Sequence, residues 1–268
     1  MSLAARSGAS GDLCRLDLVE RDDRLFAFVT LNRPERTNAL VPELVAALAD
    51  AIRQAGSANV SALVLAGEGR FFSSGGDVGA FHAALDGDIH AYAEAVVGGL
   101  QDLVLSLLAF PVPVIARIQG GVTGGAAGLM LAADLVALDH QAFIQPYYSM
   151  VGFAPDGGWT ALLPERIGPA RAASIQFLNR RIAAEEARSL GLADRIGPVE
   201  ALDGIVDEWL ASIASKSRLS LMATRKLIWD ERRLETVRDR LAAEKQAFLD
   251  LIGRQETKEG MRRFLRRD

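Results

Sequence analysis

Two stretches of this chain gather glycine where an apolar run gives way to a helical pattern. The first is Phe71-Phe72-Ser73-Ser74-Gly75-Gly76-Asp77-Val78, and the second is Gly120-Gly121-Val122-Thr123-Gly124-Gly125-Ala126-Ala127-Gly128. A bend without side chains lets backbone N–H groups approach a ligand closely. The unpaired N–H groups at a helix start, with the helix dipole, then favour developing negative charge. The same glycines equally suit tight turns and close helix packing, and neither segment alone decides between these readings. Neither contains G-x-G-x-x-G or G-x-x-x-x-G-K-[ST], and there is no G-x-S-x-G, so a nucleotide site and a serine elbow both lack support. A third stretch, Pro155-Asp156-Gly157-Gly158, offers a carboxylate, but by residue type it is first a turn: proline presets φ, aspartate bonds locally and glycine takes positive φ.

The elements around these segments follow an α/β pattern. Leu25–Leu31 reads as a strand stopped by Asn32-Arg33-Pro34, and a helix follows from about Pro42 to Ala55 with Leu44, Leu48, Ile52 and Ala55 on one face. Ser61–Ala66 is a short apolar run, the mark of a buried strand, and it leads into the first glycine segment. A helix over about Ala91–Ala109 and a strand through Ile115, Ala116 and Ile118 lead into the second. A small-residue helix over Ala126–Ala133 and short strands at Leu135–Leu138 and Ala142–Gln145 follow. From about Ala170 the pattern is almost entirely helical, with Gly191 at a left-handed cap position after an Ala183–Leu190 helix. Leu234, Val237, Leu241, Phe248 and Ile252 form one stripe of a long late helix. The expected division is a flexible lead over residues 1–12, a core over 13–200 and a helical segment over 201–268.

At 268 residues, half of them hydrophobic, the chain can bury a substantial core, and its net charge of −4 gives no reason to expect a nucleic-acid partner. The single cysteine, Cys14, precludes an internal disulfide and a cysteine-based zinc cluster. No basic stretch followed by an apolar core opens the chain, and no run reaches the roughly 18–20 unbroken apolar residues of a spanning helix. The expectation is a soluble, cytoplasmic protein with no membrane partner.

Four ordered motifs resemble the crotonase, or enoyl-CoA hydratase/isomerase, superfamily over nearly the whole chain from Leu13. They are Leu31-Asn32-Arg33-Pro34 with Asn38-Ala39-Leu40; Ser74-Gly75-Gly76-Asp77, similar to an A-G-x-D loop; Pro113-Val114-Ile115-Ala116 through Gly124-Gly125; and Ala184-Glu185-Glu186-Ala187 through Gly191-Leu192-Ala193-Asp194. The resemblance implies a crotonase-like (ClpP/crotonase) spiral of ββα units with a helical C-terminal segment. It implies a coenzyme A thioester as substrate, with no further cofactor and no metal, and a homotrimer or dimer of trimers. It makes the backbone N–H groups of Gly76 and Gly125 an oxyanion hole for a thioester enolate. One such donor typically lowers a barrier by about 2.7–4 kcal/mol. It also puts Arg36, Ala39, Ser74, Asp77 and Val78 at usual coenzyme A contact positions, where Arg36 can meet a phosphate.

The chain departs from the hydratase pattern at both catalytic glutamates. The position three residues after the second oxyanion glycine is Gly128, and the position after Gln145-Pro146 is Tyr147. Glycine exchanges no proton, and a tyrosine of ordinary pKa near 10 is a poor base at neutral pH, so ordinary hydration is not expected by this route. The segment Gly152–Gly158 instead resembles the place where some family isomerases, and an aryl-CoA dehalogenase, carry an aspartate. The resemblance therefore makes Asp156 the acid/base of a double-bond migration through a dienolate, with Tyr147 orienting Asp156 or the acyl group, or merely filling the glutamate's space. Two alternatives stand beside it: nucleophilic attack by Asp156 in a dehalogenation, and a non-catalytic acyl-CoA binder. His82, His90 and His140 lack metal-ligand spacing and read as surface or structural. Phe81, Tyr148 and Trp159 read as core, Trp159 with a place beside an acyl site as its alternative. Arg262, Arg263, Arg266 and Arg267 read as a solvated helix face, or as help with coenzyme A phosphates.

Overall fold

The computed structural model describes residues 6–7 and 13–266. The expected lead over residues 1–12 lies outside the described residues except for β1 (Arg6–Ser7), which pairs with Leu18 and Asp17 of β2 (Cys14–Arg21). β2 and β3 (Arg24–Leu31) form an antiparallel hairpin whose turn residues, Asp22 and Asp23, take the positive φ that a two-residue turn needs. The sequence reading assigns β3 but not β2, because Arg15, Asp17, Glu20 and Arg21 give that strand a polar look.

α1 (Pro42–Ser57) carries proline in its first turn and buries Leu44, Leu48, Ile52 and Ala55, as their spacing predicts. β4 (Ala62–Gly67), α2 (Val78–Ala83), α3 (Ile89–Ala93), α4 (Gly99–Leu108) and β5 (Val114–Ile118) continue the strand–helix alternation. A π-helical stretch, Glu94–Gly98, joins α3 to α4. By length and composition the helical run Ile89–Leu108 could cross a membrane; here Leu100, Leu103, Val104 and Leu107 are buried in the core. Next come β6 (Gly121–Thr123), α5 (Ala127–Leu131), β7 (Leu135–Asp139), β8 (Phe143–Gln145), α6 (Tyr148–Val151), α7 (Leu163–Ile167) and α8 (Pro169–Phe177). The last third comprises β9 (Ile182–Ala183), α9 (Ala184–Ser189), β10 (Arg195–Gly197), α10 (Leu202–Ala214), α11 (Arg218–Ile228), α12 (Glu231–Ile252) and α13 (Gln255–Leu265).

One sheet has the order β1-β2-β3-β4-β5-β7-β10, parallel from β3 onward; a second has the order β6-β8-β9. β4 shows why its run is apolar throughout. Leu63 and Leu65 join the main core with α1 and α4, while Ala62 and Val64 pack on the other face against Leu202, Val206 and Leu210 of α10. β6, β9 and β10 depart from the sequence reading, which has a bend at β6 and helix after residue 170. Strands of two or three residues are too short to show a period of two. The Gly191 cap does take positive φ, at 72°.

Candidate active site

Asn38 organises the first glycine loop from a left-handed backbone position (φ 53°) and is fully buried. Its side chain accepts the Arg33 N–H at 2.8 Å and donates to the carbonyls of Glu68 and Phe71 at 2.9 and 2.8 Å. The Ser73 hydroxyl donates to the Asn38 carbonyl at 2.7 Å. Leu40 then pairs with the loop: its N–H donates to the Gly75 carbonyl at 2.7 Å, and its carbonyl accepts the Asp77 N–H at 3.0 Å. Those two bonds leave the Gly76 N–H between them without a protein acceptor among the described residues. Gly75 is obligatory, with φ 77° and room for no Cβ: one would stand 2.5 Å from the Thr123 carbonyl oxygen.

That contact joins the two loops, and backbone bonds Ser73 N–H to Gly121 (3.2 Å) and Thr123 N–H to Ser73 (3.1 Å) fix their register. Gly124–Ala126 forms the opening turn ahead of α5, so the Gly125 N–H has no intrahelical acceptor. The Trp159 indole N–H holds the Gly124 carbonyl at 2.7 Å. Trp159 is buried and positions the second loop; it is not an acyl-site wall.

Asp156 reaches the same place from the Pro-Asp-Gly-Gly turn. Its Oδ1 lies 2.5 Å from where a Cβ on Gly125 would be, so the absent side chain makes room for the carboxylate. The Tyr148 hydroxyl donates to Oδ1 at 2.5 Å and also contacts the Asp156 carbonyl at 3.1 Å. Burial raises the Asp156 pKa, the Tyr148 hydrogen bond partly offsets this, and the Glu244 charge raises it further, to about 7. Burial and the adjacent carboxylate push Tyr148 well above its ordinary range, so it stays a neutral donor. The orienting bond expected of Tyr147 thus comes from its neighbour, read from sequence as core. Tyr147 takes a left-handed conformation (φ 63°), its N–H donates to Asn179 Oδ1 at 2.8 Å, and Tyr148 opens α6 behind it.

Gly128, where the sequence resemblance puts a hydratase glutamate, has no room for a side chain. A Cβ on Gly128 would collide with the Gly157 carbonyl oxygen and stand 2.9 Å from a Val104 methyl. The Gly157 backbone occupies the space that a side chain at 128 would need. Behind it, α12 contributes Glu244, a residue the sequence gives no reason to single out. It is buried, and its carboxylate accepts the N–H groups of Gly158, Thr160 and Ala161 and the Thr160 hydroxyl at 2.6–3.0 Å. Burial raises its pKa, and these four donors offset part of that rise.

Gly76, Gly125, Asp156, Arg36, Ala39, Ser74, Asp77, Val78 and Tyr147 all line one cavity of about 600 Å³. At its mouth Asp77 caps α2, accepting the Ala80 N–H at 3.1 Å, and pairs with Arg33 at 2.9 Å and Arg36 at 3.3 Å. Burial alone would raise its pKa, but the Arg33 and Ala80 hydrogen bonds and the two arginine charges bring it below the ordinary value. Arg36 remains half exposed and available to an anion. Phe264 and Leu265 of α13 also line the mouth, a contribution not read from sequence, whereas Arg262 and Arg263 do not. α13 is held against α6 by the Thr257 hydroxyl, which donates to the Gly152 carbonyl at 2.8 Å. Among the described residues no cluster of three His, Cys, Asp or Glu side chains forms a metal site.

The enoyl-CoA hydratase/isomerase family model matches residues 23–268, and the chain belongs to that family. It is 35% identical over 219 residues to the Mycobacterium bovis "Probable enoyl-CoA hydratase echA12", covering 80% of this chain and 77% of that one. It is 31% identical over 209 residues to the trans-2-decenoyl-[acyl-carrier-protein] isomerase of Streptococcus mutans, covering 77% and 79%. Among solved structures, an enoyl-CoA hydratase from Bacillus halodurans superposes with a TM-score of 0.84 at 23% identity, covering 97% of this chain and 99% of that one. These likenesses make the fold crotonase-like and the protein an acyl-CoA enzyme of the crotonase superfamily.

Proposed function

We propose that this enzyme moves a double bond of an enoyl-CoA thioester, with Asp156 as its only acid/base. The observation that carries this reading is the placement of the Asp156 carboxylate beside Gly125 while the Gly157 backbone occupies the hydratase glutamate space. The thioester oxygen would accept the N–H groups of Gly76 and Gly125. Asp156 would take the proton from the carbon next to the thioester carbonyl, and the negative charge would pass to that oxygen as a dienolate. The protonated Asp156 would return the proton to the far end of the dienolate, restoring the carboxylate and leaving the double bond shifted. A base of pKa about 7 suits both directions of this transfer.

Hydration additionally requires a second group to activate water. Asp77 lines the cavity, but its oxygens are committed to Arg33, Arg36 and the Ala80 N–H. Glu244 is committed to four donors of the loop behind Asp156. The substrate brings the coenzyme A, and the reading calls for no other cofactor; the setting is cytoplasmic.

The test offers 3-enoyl- and 2-enoyl-CoA thioesters to the wild type and to Asp156→Asn. Expected are isomer interconversion without hydration and its loss in the variant, with thioester affinity retained. Hydration as the dominant reaction of the wild type, or full isomerase turnover by Asp156→Asn, would overturn the proposal.

A further inference from the structure

The walls of the cavity next to the two oxyanion glycines are apolar and fixed in place. The Phe81 ring lies against Gly76, 3.0 Å from where a Cβ would be, and a Leu100 methyl stands in the same relation to Gly125 at 2.6 Å. A thioester carbonyl held by the two N–H groups therefore has its acyl chain directed between Phe81 and Leu100. One ring further from the glycines stand Phe153, from the segment before Asp156, and Phe248 of α12. Their centroids are 5.5 and 5.7 Å from that of Phe81 and 4.9 Å from each other. Phe81 and Phe248 are each 2% exposed, Phe153 is half-buried against both, and Tyr92 packs edge-on behind Phe81 at 5.0 Å, so the three rings hold one another in place.

From this geometry we infer that Phe153 and Phe248 form an end-stop that restricts the enzyme to uncharged acyl groups of limited length. The inference rests on the acyl-thioester reading above. Each methylene entering the space short of the rings gains about fourfold in affinity, and a chain that reaches them must displace rings already packed on one another. Among the described residues no cationic side chain lies among these rings to meet a carboxylate at the far end of an acyl group, so such a charge would be stranded in an apolar chamber.

The test uses Asp156→Asn, which removes turnover, and measures binding of saturated acyl-CoA thioesters from butyryl to dodecanoyl by calorimetry. Affinity is expected to rise with chain length, then fall by about tenfold or more past a maximum. Adipoyl-CoA is expected to bind at least about a hundredfold more weakly than hexanoyl-CoA. Adding Phe248→Ala, or the milder Phe248→Leu, should move the maximum to longer chains, and Phe153→Ala should do the same; thermal melts establish that each variant is folded. A maximum unmoved in all folded variants, affinity that never falls with length, or equal binding of adipoyl- and hexanoyl-CoA would overturn the end-stop while leaving the thioester reading intact. No binding of any thioester would overturn both.

Discussion

At Asp156 burial and the Glu244 charge oppose ionisation while the Tyr148 hydroxyl favours it, and the balance falls near neutrality. A base must start ionised, so isomerase kcat/KM is predicted to rise with pH through about 7. Tyr148→Phe, by removing the one stabilising hydrogen bond, should move that limb to higher pH. The same shift sets a stability trend. The folded-state pKa of about 7 lies above the ordinary 3.8, so this group's contribution is fully present below pH 3.8 and is lost as pH rises through about 7. Asp156→Asn should therefore exceed the wild type in stability at pH 8, by at most about 4 kcal/mol, and lose that advantage at pH 4 in urea titrations. Restoring a glutamate with Gly128→Glu should not create a hydratase. Its Cβ meets the Gly157 carbonyl, so the expected result is destabilisation by about 1–3 kcal/mol or more, read from a urea melt, with no hydration product. Asp156 itself was legible only through the resemblance, because its residue type and neighbours describe a turn. Tyr148 was not legible: two adjacent tyrosines are equivalent on paper, and only the left-handed backbone at Tyr147 decides which one reaches the carboxylate.

Among the elements, α12 has a role that its sequence hides. Val237, Leu241, Phe248 and Ile252 mark its buried stripe, and that stripe was readable from periodicity. Glu244 lies in the same span and is buried too, but a lone glutamate in a helix rich in charge reads as solvent-facing. Its purpose depends on three N–H groups more than eighty residues away in sequence. Glu244→Ala would leave those N–H groups buried and unpaired, at a cost of about 2–4 kcal/mol. The predicted signature is a lower melting temperature and reduced kcat, with thioester KM within about twofold of wild type because the mouth is untouched. A KM effect larger than the kcat effect would contradict this role. The longer elements, α1, β4 and α4, were legible because their apolar residues have a helical or continuous pattern. β6, β9 and β10 exist through pairing with partners far along the chain, which local sequence does not encode.

For the molecule as a whole, the central strands are covered on both faces and the chain's own α13 lines the mouth of the site. Even so, Phe177 and Leu178 at the end of α8, and Leu219 and Leu227 on α11, are each more than 70% exposed. Paired apolar side chains of this kind favour self-association, and sedimentation is predicted to give more than one chain mass, three or six being the numbers the sequence resemblance implies; a monomer at all concentrations would contradict it. The central claim concerns one proton at one carboxylate, and deuterium incorporation tests it most directly. An enoyl-CoA thioester incubated with enzyme in deuterated water should gain deuterium at C2 and C4, the two ends of the dienolate, as the protonated Asp156 exchanges with solvent before returning its proton, and Asp156→Asn should bind the thioester but incorporate none. Incorporation at the wild-type rate by that folded variant would contradict the account.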